Sequence, residues 1–231
     1  MSDTLSIFLG VLGAIGGVLL VWEFGKKVHN EIILYLSGRF ASEKGYRYDY
    51  IEIGDRWLRE GKHVVSNRVH VVTSNQNYVE SIRFGVGPSS KGRVSFVLLE
   101  GPGNLRKVES TRSNADWEDY IFEFSVPLRK GHSARIVTRT EIVAHRGIVL
   151  PNRLSWISNR RVDRLVLKSA SKNILPVKAY SHRVDGAGLV SQRNDIDIDV
   201  TSHECRIELN APIPGYMYML IWEYDDENVS T

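Results

Sequence analysis

The hydrophobic pattern of the chain changes at Gly45, and this change limits the possible folds more than any other feature. After Gly45, apolar and polar residues alternate with a period of two in a dozen short runs that are rich in β-branched and aromatic residues. Gly, Pro, Asn and Ser separate the runs, as expected for turns. The pattern predicts a mainly β fold, with one large or two small antiparallel sandwich or barrel domains.

Two β domains would meet near residues 147–151, where Gly and Pro interrupt the pattern. The first half would then cover residues 45–148 and the second half residues 149–224, with a short acidic tail at 225–231. The predicted strands are 46–53, 63–73, 78–86, 93–100, 119–126, 134–143, 153–158, 162–169, 177–184, 194–200, 205–210 and 216–224.

The amino-terminal segment has a different character. After a short tail at residues 1–4, the run from Leu5 to Trp22 contains 18 residues and no charge. A helix of that length spans about 27 Å, close to the thickness of the hydrocarbon core of a bilayer. The run therefore predicts a transmembrane helix over residues 5–24. A buried core helix is one alternative, but helices that are apolar on every side are rare in a chain of this size. A cleaved secretory signal is the other, but the preceding residues lack the positive charge that such signals carry.

The flanking charges predict the orientation of this helix. Lys26 and Lys27 follow the span directly, whereas only Asp3 precedes it. The positive-inside rule therefore places the carboxy-terminal domain in the cytoplasm and the protein in the inner membrane, as a single-pass protein. The single cysteine, Cys205, is compatible with a reducing compartment.

Residues 25–44 predict a second, amphipathic helix next to the membrane. Apolar residues such as Val28, Ile32 and Leu36 fall on one side of it, and the run is too short to cross a bilayer. This helix could lie against the headgroups, pack against its copies in an oligomer, or cover the β domain.

Small residues follow one face of the predicted transmembrane helix, where they would allow two helices to approach closely. The Gly13-x-x-x-Gly17 motif is the centre of this stripe. Its predicted self-association residues are Ser6, Gly10, Gly13, Ala14 and Gly17.

A basic cluster in the second half is the best candidate for a binding site. Arginine side chains bind phosphate through paired hydrogen bonds, and a nearby aromatic ring can stack on a base. The anionic ligand could be a nucleotide, nucleic acid or the anionic headgroups of a nearby membrane. The candidate residues are Arg153, Trp156, Arg160, Arg161, Arg164 and Lys168. The formal charge of the whole chain is only +3, which argues against a surface built to bind nucleic acid.

Catalytic and metal-binding patterns are weaker. Asp195, Asp197 and Asp199 would lie on one face of a strand and could hold a cation, but alternate side chains on a strand are nearly 7 Å apart. His203 and Cys205 would share a face, as a nucleophile and its base do, yet strand cysteines are usually buried. We expect no catalytic residue, no metal and no cofactor.

The layout of a glycine-striped membrane helix followed by a β-rich cytosolic module resembles the membrane effectors of bacterial antiphage signalling. The resemblance implies activation by a ligand or partner, followed by oligomerisation that breaches the inner membrane. The chain departs from the β-barrel members of that group, because it has one evident span where they have two.

Three functional hypotheses follow. In the first, the β module binds a nucleotide ligand or a cytosolic protein, and the helix self-associates in the lipid bilayer to form a homo-oligomer that signals or permeabilises. In the second, the chain is a membrane-tethered structural or adaptor subunit. In the third, it is a metal-dependent hydrolase that uses the Asp195–Asp199 face. The third is the weakest, because no nucleophile, base and orienting group occur together.

Replacing both Gly13 and Gly17 with Ile should separate the helices while preserving insertion. Contacts between membrane helices contribute about 0.6–2 kcal/mol each, so the pair should weaken self-association by roughly one to two orders of magnitude. Cross-linking in native membranes measures the effect, with Val11→Ile and Leu19→Ile as the control. Equal cross-linking of both variants would show that the stripe reflects composition alone.

Overall fold

A computed structural model describes residues 45–222, apart from 60, 88–89, 110–116, 158–159, 171–176, 185–189 and 202. The predicted transmembrane helix, its small-residue stripe, the juxtamembrane helix and the acidic tail lie outside these residues. Among the described residues, no helix has the length and apolar composition that a membrane crossing requires.

The described residues form fourteen β-strands, which confirms the prediction of a mainly β fold. The strands are β1 Tyr46–Arg59, β2 His63–Ser74, β3 Tyr78–Val86, β4 Gly92–Glu100, β5 Gly103–Val108, β6 Glu118–Arg129, β7 Ser133–Ala144, β8 Arg153–Ile157, β9 Arg164–Ala170, β10 Val177–Val184, β11 Val190–Asp195, β12 Asp199–Val200, β13 Glu204–Asn210 and β14 Tyr216–Trp222.

Two regions differ from the predicted strands. Strand β5 was not predicted, because its sequence GNLRKV is short and lacks a clear alternation. The predicted strand 194–200 is instead interrupted: β11 ends at Asp195, and β12 begins at Asp199. The Ile196 amide donates to the Ala179 carbonyl at 3.0 Å, and Ile196 packs against the core. The three aspartates therefore do not share one continuous strand.

The strands form two layers. One layer is a seven-stranded sheet in the order β12-β13-β9-β1-β2-β7-β4. The other contains a four-stranded sheet, β11-β10-β14-β8, and a three-stranded sheet, β3-β6-β5. Aromatic side chains join the layers edge to face: the Trp57 and Trp222 rings are 6.0 Å apart, and the Phe96 and Tyr120 rings are 4.7 Å apart. The molecule is thus a β-sandwich whose second layer is divided.

A parallel pairing connects the two halves of the chain. Ile51 and Ile53 of β1 lie beside Leu165 and Leu167 of β9. Tyr48 extends the pairing, since its carbonyl accepts a hydrogen bond from the Asp163 amide at 2.9 Å. Both halves therefore contribute to one sheet, and one hydrophobic cluster contains residues from each.

Cys205 lies on β13 and is fully buried. Its Sγ lies 3.6 Å from the carbonyl oxygen of Ser169, and burial raises the pKa of the thiol to about 11. The side chain therefore remains a thiol at neutral pH and acts as a small apolar core residue.

Residues 45–231, produced without the preceding segment, should unfold as one unit. Leu167→Ala should lower the free energy of unfolding by about 2–5 kcal/mol, because a buried leucine leaves a cavity. Hydrogen exchange should also accelerate in β2, which belongs to the other half of the chain. The exposed Val126 provides the control: Val126→Ala should change stability by less than about 0.5 kcal/mol. Faster exchange confined to residues 149–222 would instead indicate two independent domains.

Candidate ligand-binding cleft

The divided layer leaves a cleft over the seven-stranded sheet. β3 and β8 are edge strands of their two sheets and do not pair with each other. Between them lie two adjacent cavities, of about 300 Å³ and 400 Å³, and both are lined by Arg68, Trp117 and Ser155. Their sizes match those of small-molecule sites. The inner faces of β1 and β2 form the floor of this cleft.

The floor is polar where the interior of a sandwich is normally apolar. Alternation along β2 starts from the buried Val64 and places Ser66, Arg68 and His70 on the inner face. Asp55 of β1 lies directly across from Ser66. Ser66 and His70 are buried, and Asp55 and Arg68 are half-buried. Polar groups removed from water are costly unless they find partners, so a row of them under a cavity points to a ligand.

Arg68 is the central group of the floor. Its Nη1 donates to the Gly85 carbonyl of β3 at 3.5 Å, while no described residue accepts a hydrogen bond from its Nε. Burial lowers the pKa of Arg68, and the charge of Asp55 opposes that effect. None of the described carboxylates is within ion-pair distance of this guanidinium (4.0 Å). A bound anion would supply the missing partner.

Asp55 and His70, the ionisable groups near Arg68, have pKa values that are shifted in opposite directions. Burial raises the pKa of Asp55 to about 6, although Ser66 and Arg68 both favour the carboxylate. Burial and the nearby Arg68 lower the pKa of His70 to about 3, so its ring is neutral at pH 7. The His70 ring lies 5.0 Å from that of Phe84, and no described residue bonds to its Nδ1.

The walls of the cleft add positive charge and tryptophan rings. The Arg160 guanidinium lies 3.9 Å from the centre of the Tyr46 ring, and Arg83 Nη2 lies 3.4 Å from Asp119 Oδ2. Trp117 and Trp156 line the same walls. Among the described lining residues, five are cations and one is a carboxylate, Asp55; the cations are Arg68, Arg83, Lys91, Arg153 and Arg160. Such a cleft favours an anion that also carries a planar ring.

The structure brings together three of the six predicted binding residues. Arg153, Trp156 and Arg160 line the cleft. Arg161 lies outside it, with its Nε 2.9 Å from Oδ1 of Asp163.

The other two predicted residues lie on the opposite face of the seven-stranded sheet. Leu165 and Leu167 of β9 face the core, so the alternating positions Arg164 and Lys168 point outward. Lys168 Nζ lies 2.7 Å from Glu52 Oε1, and Arg164 forms an ion pair with Glu208. The predicted cluster is therefore not one site.

Sequence reasoning missed the floor residues. In β2, Val65, Val69 and Val71 lie on the outer face, so apolar residues occupy both faces and the inward register is ambiguous. The useful signal was the repeated polar position at Ser66, Arg68 and His70, set between the buried Val64 and Val72.

Metal ligands do not converge in the part of the chain that the structure describes. Across residues 45–222, with the gaps given above, no three His, Cys, Asp or Glu side chains are placed to hold a metal ion.

Comparisons with known proteins give no family. No family model matches the sequence, and no curated protein matches it. An M1 zinc metallopeptidase from Deinococcus radiodurans is similar in structure, with 10% identity, a TM-score of 0.43, and coverage of 80% of this chain and 44% of that chain. A candidate protease from Parabacteroides distasonis has 7% identity, a TM-score of 0.49, and coverage of 77% and 40%.

A third similar structure is a candidate nutrient-binding protein from Legionella pneumophila, with 7% identity, a TM-score of 0.43, and coverage of 78% of this chain and 68% of that chain. The chain thus spans less than half the length of the two peptidase-like structures. At these TM-scores and identities the similarities carry no functional argument.

Asp55→Asn should stabilise the protein in a pH-dependent way. Because the folded-state pKa of about 6 is above the ordinary value of 3.8, the contribution of Asp55 to stability is fully present below about pH 4 and is lost as the pH rises through 6. The free energy of unfolding of the variant should therefore exceed that of the parent by about 1–3 kcal/mol at pH 7.5 and by almost nothing at pH 4.

Urea unfolding of residues 45–231 across this pH range measures the difference. Asp197→Asn, at an exposed position between β11 and β12, is the control and should show no such trend. A constant difference in the free energy of unfolding between Asp55→Asn and the parent at all pH values would contradict the raised pKa of the Asp55 carboxyl.

Proposed function

We propose that the protein is a single-pass, non-enzymatic membrane protein whose cytoplasmic β-sandwich binds a phosphorylated ligand with a planar ring, of the nucleotide class. Ligand binding would control self-association of the glycine-striped helix, and the oligomer would signal to or permeabilise the inner membrane. The observation that carries the proposal is the half-buried Arg68 at the centre of a cationic cleft flanked by tryptophans.

The chemistry of the cleft supports the ligand class. Arg68 offers a guanidinium that lacks a carboxylate partner among the described residues, and Lys91 and Arg153 line one wall without a described ion pair. Phosphate oxygens satisfy several such donors at once. Trp156 offers a ring face on which a base can stack, and stacking tolerates different bases.

Arg68→Met is the sharpest test of the site. The substitution keeps the length of the side chain and removes a half-buried charge, so the ligand-free protein should be as stable as the parent or more stable. Affinity for the ligand should fall about 10- to 100-fold, as expected when a hydrogen-bonded charge is removed. Calorimetry on full-length protein in detergent measures both quantities, with mono-, tri- and cyclic nucleotides, adenosine and inorganic phosphate as probes.

Arg139→Met is the matched control. Arg139 lies exposed on the outer face of β7, where its Nε donates to Asn67 at 3.1 Å, so binding should be unchanged. Trp156→Ala should weaken the binding of nucleotides but not of inorganic phosphate, because only a ligand with a ring gains affinity from stacking. Loss of stability in Arg68→Met without loss of binding would mean that Arg68 has a structural role.

One observation favours the anchored-adaptor alternative. Strand β4 is at the open edge of the seven-stranded sheet, and Val97 and Leu99 are about half exposed on its outer face. An extended segment of a partner could pair with such an edge. Nucleotide-dependent leakage of liposomes would support the first function, whereas a nucleotide-insensitive protein that leaves liposomes intact would favour the adaptor.

A further inference from the structure

The end of the sandwich at which the chain enters from residue 44 is basic. The Asn75 amide donates to the Gly45 carbonyl at 2.9 Å, so Gly45 lies beside the turn between β2 and β3. The Gly131 amide donates to the Ser74 carbonyl at 2.8 Å, which brings the β6–β7 turn to the same place. We name this region the basic end; its cations are Arg47, Arg129, Lys130, Arg160, Arg161 and Arg183.

Positive charge exceeds negative charge at the basic end. The turns at 75–77 and 129–132 and the segment 211–216 contain no acidic residue. A shallow cavity of about 420 Å³ brings Arg47, Lys130 and Arg161 together. Two carboxylates lie near them, Asp49 and Asp163, and both form ion pairs with Arg47 or Arg161.

Exposed apolar side chains accompany these cations. Tyr78 is 61% exposed beside Arg129, its partner on β6. Ile157 and Ile213 are each 44% exposed near the start of β14. Basic residues mixed with exposed aromatic and aliphatic side chains are typical of surfaces that meet lipid headgroups.

The opposite end of the sandwich also carries cations, among them Arg59, Lys62 and Arg146, and exposed apolar side chains such as Leu58 and Val149. Asp197 and Asp199 are exposed there, next to the start of β13. What distinguishes the basic end is that the chain continues from Gly45 toward the predicted membrane helix.

We propose that the basic end docks directly on the anionic headgroups of the membrane that holds the predicted transmembrane helix. The proposal rests on the membrane anchoring in the proposed function. It assigns a second, electrostatic contact to the β-sandwich itself, at residues separate from the floor of the cleft. Docking would fix the orientation of the domain relative to the membrane surface.

The test uses full-length protein in nanodiscs and one introduced thiol. Asn77 is exposed in the turn beside Gly45, and the native Cys205 is buried, so Asn77→Cys gives a single accessible site. Reaction with a polyethylene-glycol maleimide, read as a gel shift, should be at least fivefold slower in discs with 30% phosphatidylglycerol than in phosphatidylcholine discs. High salt should remove the difference, because it screens the attraction.

Charge variants then test the basic end itself. Each cation near an anionic surface strengthens binding about fivefold, so Arg129→Gln with Lys130→Gln should lower the ratio of docked to undocked protein about 25-fold and restore labelling. Arg59→Gln with Arg146→Gln removes the same charge at the opposite end and should leave the protection intact. Equal labelling in both kinds of disc, or equal effects of the two double variants, would overturn the proposal.

Failure of the anchor is distinguishable from failure of docking. Without a transmembrane anchor, the protein would elute separately from phosphatidylcholine discs, whatever the labelling of Asn77→Cys. In that case, salt-sensitive recruitment to the phosphatidylglycerol discs would still support the basic end, and absence of recruitment would refute it. Nucleotide affinity measured in the same discs reports on the cleft alone.

Discussion

The parallel pairing of β1 with β9 is the constraint on which the rest of the fold depends. A parallel pair needs a long connection, and here the chain between β1 and β9 builds β2 to β8. β1 consequently has neighbours from both halves of the chain, β2 on one side and β9 on the other. Because the remaining strands close two separate small sheets over this one, the second layer has a gap, and the gap lies over β1 and β2.

The polar residues in the floor of that gap lower the stability of the fold and provide groups that can bind a ligand. An apolar row at Asp55, Ser66, Arg68 and His70 would continue the core, and removing the half-buried charges of Asp55 and Arg68 would be expected to stabilise the fold. Proteins commonly retain such unfavourable groups at functional sites. Arg68 is held at the surface of the cavity rather than in a closed ion pair, which leaves its charge available to a ligand.

Local signals predicted the strands, whereas contacts distant in sequence determined the site. The runs at 63–73 and 78–86 match β2 and β3 nearly to the residue, because alternation and turn residues agree there. The cleft depends on which edges face each other across the gap, β3 and β8, and periodicity carries no information on that. Arg153 was found through its local cluster; Arg83 and Arg68 belong to other strands and could not be connected with it.

The distribution of tryptophan has a practical consequence. Of the four tryptophans in the described residues, Trp57, Trp117 and Trp156 line the cleft, and the fourth, Trp222, lies 6.0 Å from Trp57. The ultraviolet emission of the β-sandwich therefore comes almost entirely from rings in or next to the cleft. Any molecule that enters it would change the polarity and quenching around these rings, so the protein carries its own optical reporter and needs no attached dye.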